Sequence, residues 1–149
     1  KAERGRAMNY ATRDFGEMNI EDSRVLDFVQ PPFGFEAYHK YALIYDKEIG
    51  ESIVWLQSLE EPSLCFLMMD PSSLAPYFQP RLPEGAEKML GGDVCDCWVM
   101  MSVPGKVSEA TVNLKSPVFI NMTENRGAQI MLEQEYPVRF SLSEIGEAK

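Results

Sequence analysis

The stretch that decides the fold runs from Trp55 to Pro71, WLQSLEEPSLCFLMMDP. Two apolar runs of strand length flank Glu60, Glu61 and Pro62, and the second run stops abruptly at Asp70-Pro71. EEPS at 60–63 has turn character, and so short a connection implies an antiparallel hairpin, because parallel strands need a crossover of about a dozen residues or more. Glu60 and Glu61 then stand at the tip of that hairpin and Asp70 at its exit.

The same reading extends in both directions. VLDFV (25–29), YALIY (41–45), SIVWLQ (52–57) and LCFLMM (64–69) are apolar runs of strand length. VCDCWVMMSV (94–103), VSEATVNL (107–114), VFIN (118–121) and AQIMLE (128–133) continue the series. They are rich in β-branched and aromatic residues and bounded by turn residues. Alternation between 107 and 114 predicts a strand with one wet face. PG at 104–105 and TENRG at 123–127 read as hairpin turns, with Gly127 free to take positive φ. Asn113, Pro117 and Asn121 read as shapers of strand connections.

Eight closely spaced strands imply an all-β fold, a barrel or a sandwich with one short helix, since either removes or protects exposed strand edges. One segment interrupts the pattern. Pro71, Pro76, Pro80 and Pro83 cannot donate to a ladder, so 71–83 reads as a surface excursion pinned by Leu74, Tyr77 and Phe78. PEGAEKML follows as the helix, with Pro83 near its start and Gly91-Gly92 ending it.

With 149 residues and 45% apolar content, the chain suits a single domain that buries roughly two-thirds of its unfolded surface. The seven residues before Met8, KAERGRA, read as a loosely held leader, with residues 1–8 outside the folded unit, 9–142 as the domain and 143–149 as a tail. Without the first seven, 11 basic and 22 acidic residues remain, a net charge of −11 against −9 for the whole chain. Such a field disfavours direct contact with nucleic acid or anionic membrane and favours basic partners. No run approaches the roughly 20 apolar residues of a membrane span, and no signal segment is visible. A cytoplasmic location follows as an expectation, with Cys65, Cys95 and Cys97 as free core thiols in a reducing compartment.

The search for chemistry yields little. His39 is the sole histidine and lies in EAYHKY with no catalytic motif around it, so it reads as a surface or strand-edge residue. Zinc needs about four ligands, and the sole histidine, His39, lies far in sequence from the cysteines, so core thiols are expected rather than a metal site; no phosphate-cradling glycine loop or EF-hand spacing is present. The acids read as a solvated, partner-facing surface rather than a catalytic carboxylate pair. Methionines 68, 69, 100 and 101, with Trp55 and Trp98, read as core filling. Neither enzyme activity nor a cofactor is expected; a small-molecule-binding β-barrel is the alternative, and it requires a ligand-sized apolar cavity.

WLQSLEEPSLCFLMMDP, followed by its proline-rich excursion, resembles the tryptophan-containing hairpin of the flagellar assembly factor FliW family. FGEMNIEDSRVLDF and GFEAYHKYALI are similar to that family's first strands, and TVNLKSPVFIN with RGAQIMLEQEYPVRFSL to its closing strands. FVQPPFGFE departs from the glycine-containing loop frequent there, and Phe140 stands where a histidine is frequent. The resemblance spans about residues 9–142 and implies a compact antiparallel β-barrel-like domain. It also implies a partner-switching regulator that binds CsrA, a small dimeric RNA-binding translational repressor, and relieves its repression of flagellin mRNA. Flagellin is the second partner implied. Partner contacts are expected at Glu60, Glu61 and Asp70, with Tyr77 and Phe78 as an apolar anchor where the excursion leaves them exposed.

Overall fold

The computed structural model of the protein describes residues 6–46, 48 and 50–143. Strands β1 (Ala7–Ala11) and β2 (Glu17–Glu21) form a separate hairpin. Strands β3 (Leu26–Gln30), β4 (Lys40–Tyr45), β5 (Ile53–Ser58), β6 (Cys65–Met69) and β7 (Asp96–Ser102) form an antiparallel meander. The expected central hairpin is β5–β6, with Trp55 opposite Leu67. A 3-10 turn (Pro71–Leu74) and helix α1 (Ala86–Leu90) lie between β6 and β7, and Gly91 ends the helix at φ 82°. The chain then adds β8 (Thr111–Val112), β9 (Val118–Asn121), β10 (Arg126–Gln129) and β11 (Phe140–Ser141).

The meander closes through β9 and β10. The first half of β7 pairs with β9, β9 pairs with β10, and β10 lies beside β3. Strands β3 to β7 with β9 and β10 thus form a closed barrel, while the second half of β7 leaves it to pair with β8, which carries β11. The β10–β3 pair is parallel, the one such pair among the described strands, and it is the long return across the whole meander that permits it.

Several local expectations are corrected. Ala7 and Met8 belong to β1, and Asp22 N donates to Arg6 O, so ordered chain begins before residue 9; residues 1–5 and 144–149 lie outside the described residues. Between 107 and 114 the alternation holds for burial from Ala110 onward, but the strand is only Thr111–Val112. Val107–Glu109 is a 3-10 turn, and Asn113 Oδ1 takes the amides of Lys115 and Ser116 out of the ladder. Residues 130–133 leave the regular strand, although Ile130 N and Leu132 N still donate to Pro117 O and Lys115 O.

The left-handed residue of the 123–127 turn is Asn125, at φ 57°, and not Gly127. Asparagine tolerates that region, and its Nδ2 donates to Ser23 O at 3.0 Å. Gly127 sits inside β10 for a steric reason: a Cβ there would lie 2.6 Å from the Phe28 ring.

Two cores explain why the strands read as nearly continuous apolar runs. Residues of one parity, Phe28, Tyr41, Leu56, Met68 and Trp98 among them, fill the barrel interior. Residues of the other parity, such as Met69, Val99 and Phe119, form a second core outside the barrel wall with Leu74, Phe78, Leu90 and Leu132. The proline-rich excursion and the chain after β10 therefore cover a sheet face that would otherwise meet water. Trp98 is an interior residue as expected. Trp55 lies instead on the outer wall, beneath Phe15 (ring centroids 5.8 Å apart) and the Arg13 guanidinium.

The interior also contains an uncompensated polar atom. Tyr41 is fully buried between Phe28 and Phe66, its hydroxyl has no hydrogen-bond partner among the described residues, and burial raises its pKa. Tyr41→Phe removes that desolvation cost while keeping the ring, so a gain of about 1 kcal/mol in urea unfolding is expected.

Candidate functional site

The barrel has two ends, and the residues singled out in the sequence do not gather at either. At one end, the β5–β6 turn is held from inside. Gln57 is fully buried, its Nε2 donating to Ser58 O and Pro62 O, while Ser58 Oγ accepts from the amides of Glu60 and Glu61. Glu60 Oε1 in turn accepts from His39 N at 2.6 Å and Lys40 N at 3.1 Å, capping the start of β4. Glu61 accepts from the Ser63 hydroxyl and amide, and these bonds hold its carboxyl below the usual range. Glu61 is thus engaged within its own turn, and Glu60 at the start of β4. His39 is an exposed strand-edge residue whose Nδ1 lies 2.9 Å from Phe28 O.

On the flank, the pair Tyr77 and Phe78 is split. Phe78 is 4% exposed and packs in the outer core, edge-on to Tyr136, so it cannot serve as a surface anchor. Tyr77 is 52% exposed and stacks on Phe140, with centroids 5.3 Å apart. Phe140 is thus the aromatic partner of Tyr77.

The opposite end carries a concave surface. Tyr45 at the end of β4, Glu51 before β5, Asp70 after β6, and Asp96, Cys97 and Trp98 at the start of β7 line an open cleft of about 600 Å³. The meander brings them together because the end of every second strand falls on the same rim. Asp70 N donates to Ser52 O, and Asp70 Oδ1 accepts from Ser72 N, so this acid fixes the exit into the excursion. Burial first, and then the Asp96 carboxylate, push the Tyr45 hydroxyl up, with Arg24 opposing. The ion pair recorded among the described residues, Arg13–Asp14 at 2.8 Å, lies elsewhere.

With this geometry in place, comparison with known proteins is decisive: the family model described as FliW protein matches residues 9–142. The chain belongs to the FliW family. A flagellar assembly factor FliW from Lachnospira eligens is 32% identical over 145 residues, covering 93% of this chain and 96% of that protein. The FliW of Thermotoga neapolitana is 34% identical over 142 residues, with 92% and 94% covered. A crystal structure of the flagellar assembly factor FliW superposes with a TM-score of 0.82 at 24% identity, covering 91% of this chain and 96% of that one. That likeness supports the all-β barrel with one short helix.

Within this FliW-family barrel, Tyr45, Glu51 and Asp96 were not singled out by sequence reasoning, and Trp98 was read only as core. Each acid sits singly at a strand boundary, so nothing local marks the set. Cys65, Cys95 and Cys97 are free thiols; burial raises all three, Cys65 to about 11 and Cys97 to about 12 from the ordinary 9.0. Folding thus opposes thiolate formation. Stability is fully present below the unfolded thiol value near 9.0 and is lost as pH rises through the window from 9.0 toward about 12. Urea unfolding across that window is expected to show a shallower decline for Cys97→Ala than for the parent.

Among the described residues, no helix is long and apolar enough to cross a membrane. The barrel interior is filled by side chains such as Phe28, Tyr41, Leu56 and Met68, each at most 0% exposed, and the large cleft lies outside it. Among the described residues, that filled interior argues against the small-molecule-barrel alternative, which requires a ligand-sized apolar cavity.

Proposed function

We propose that this chain is a cytoplasmic flagellar assembly factor that binds the translational repressor CsrA, relieves its repression of flagellin mRNA, and exchanges CsrA for flagellin. The observation that carries this reading is the FliW family match over residues 9–142. The net charge of −9 supplies a physical route. An acidic domain docked on an RNA-binding protein covers its basic groove or places negative potential beside it, and RNA affinity rests heavily on phosphate contacts to Lys and Arg. Attraction between opposite charges also speeds encounter, while apolar contact sets the residence time.

Pull-down with purified CsrA and, separately, with flagellin tests the reading. Retention of both, with flagellin displacing CsrA, is the expected result; failure to retain either overturns it. In a competition assay the protein is expected to release flagellin mRNA from CsrA, and CsrA binding is expected to weaken as salt rises. A response independent of ionic strength removes the electrostatic route. Because Glu60 holds two backbone amides, its substitution tests the β4 edge as well as any contact, whereas the mouth acids Glu51 and Asp96 test charge at the opposite end.

A further inference from the structure

We propose that the β1–β2 hairpin is a latch: it opens as a unit from the wall of the folded barrel, and its closure sets the turn that carries Glu60 and Glu61. The hairpin is self-contained. It forms its own two-stranded sheet, and its further backbone hydrogen bonds, Thr12 N to Gly16 O and Asp22 N to Arg6 O, stay within residues 6–22. In its two strands only Ile20 is buried, and Ile20 belongs to neither of the two cores. A segment with so little buried apolar contact opens at a lower free energy than the whole fold.

Arg13 is the clasp. Among the described residues, the hairpin's hydrogen bonds to the barrel are both made by this one residue. Its N donates to Gln57 Oε1 at 3.2 Å, and its guanidinium donates to Cys65 O at 3.2 Å. The guanidinium also lies 5.9 Å from the Trp55 ring centroid, and Phe15 meets that ring edge-on. Asp14 pairs with it at 2.8 Å, both side chains 42% exposed, so the clasp is released without first dismantling a core.

Trp55, Gln57 and Cys65 share the outward parity of β5 and β6, opposite to the interior residues Leu56 and Met68. Gln57 and Cys65 are buried, yet neither belongs to the outer core beneath the proline-rich excursion. The hairpin tip, through Arg13 and Phe15, lies over this part of the wall. Gln57 makes the clasp a link. Its oxygen takes the Arg13 amide, while its Nε2 donates to Ser58 O, Pro62 O and Leu64 O. One buried side-chain amide is therefore shared between the latch and the acidic turn. Release of Arg13 leaves the Gln57 oxygen short of a donor, which is costly for a buried group. The amide relieves that cost by turning, and its bonds to the turn go with it.

The test contains neither CsrA nor flagellin, so this inference and the proposed function fail separately. Cys95→Ala with Cys97→Ala leaves Cys65 as the sole thiol. Its reaction with an aromatic disulfide reagent is followed in rising urea, beside equilibrium unfolding by circular dichroism. Latch opening exposes little surface, so at low urea the labelling rate is expected to rise with less than about one-third of the slope of global unfolding. Arg13→Ala is expected to speed labelling about tenfold, while Arg81→Ala, the same charge loss on the excursion, leaves it unchanged. Amide exchange at Glu60 and Glu61, whose N–H groups bond Ser58 Oγ, is expected to quicken in Arg13→Ala, with Ile120 in β9 at its parental rate. In the unsubstituted protein the β1–β2 amides are expected to exchange together and ahead of those of β5, a comparison that needs no variant. Exchange of β1–β2 only in step with β5, labelling at the full slope of global unfolding, or an unaltered rate in folded Arg13→Ala overturns the latch. Unchanged exchange at Glu60 and Glu61 overturns its link to the turn.

Discussion

Phe28→Ala is expected to cost about 4 kcal/mol, the upper range for emptying a fully buried aromatic site. Phe28 is 0% exposed, lies 4.9 Å from Tyr41 between ring centroids, and fills the place vacated by the missing side chain of Gly127 on the parallel strand. The reverse intrusion is also costly. Gly127→Ala puts a methyl 2.6 Å from the Phe28 ring, and in a packed interior that ring has nowhere to swing, so about 2 kcal/mol is expected from overpacking. The two changes are coupled, because each derives its cost from the other residue. In the double variant the new methyl meets a cavity instead of a ring, and the added cost of Gly127→Ala falls to near zero. Urea unfolding of the four proteins measures the coupling. Additive losses would mean that the contact across β3 and β10 is not what fixes glycine at 127.

Asn121→Ala is expected to cost about 3 kcal/mol, large for so small a truncation. Asn121 is 4% exposed and uses both ends of its amide: Nδ2 donates to Leu90 O at 2.9 Å, and Oδ1 accepts from Thr123 N and Glu124 N. Truncation leaves three backbone groups short of a partner, including a carbonyl in the last turn of α1. Asn121→Asp keeps the acceptor for the turn but loses the donor to the helix, so it is expected to fall between the parent and alanine. Urea unfolding gives the magnitudes. Amide exchange of Thr123 and Glu124 should accelerate in the alanine variant and stay near parental rates in the aspartate variant.

The β5–β6 hairpin was legible because its two strands and their turn are contiguous, and the same holds for β3, β4, β7 and β9. Residues 107–114 were misread because alternation reports burial, and burial there comes from packing over the outer core rather than from a ladder. The parallel β3–β10 pair was invisible, since nothing local records which distant strand a strand will meet. The role of Gly127 was hidden for the same reason: its constraint is the Phe28 ring, not its own turn. The acidic tip reads as a partner surface in the sequence, which shows that an acid is present but not what its oxygens accept; Glu60 stays exposed while its Oε1 takes both His39 N and Lys40 N. Phe78 was paired with Tyr77 by adjacency, but the turn that closes with Phe78 N donating to Leu74 O leaves Phe78 in the outer core and Tyr77 exposed. The mouth escaped notice because its acids come from three separate strand ends that meet only when the barrel closes.

That closure has a bearing on synthesis. Asp27 waits for Arg126, nearly a hundred residues later, before β3 gains its second neighbour. A chain emerging from the ribosome presents the β3–β7 meander with both outer strands open until β9 and β10 arrive. Non-local pairing of this kind folds slowly, and open edges invite pairing with other chains. Truncated or stalled products ending before Arg126 are therefore the species most exposed to aggregation, and the last stretch of the message governs whether the earlier one becomes soluble protein.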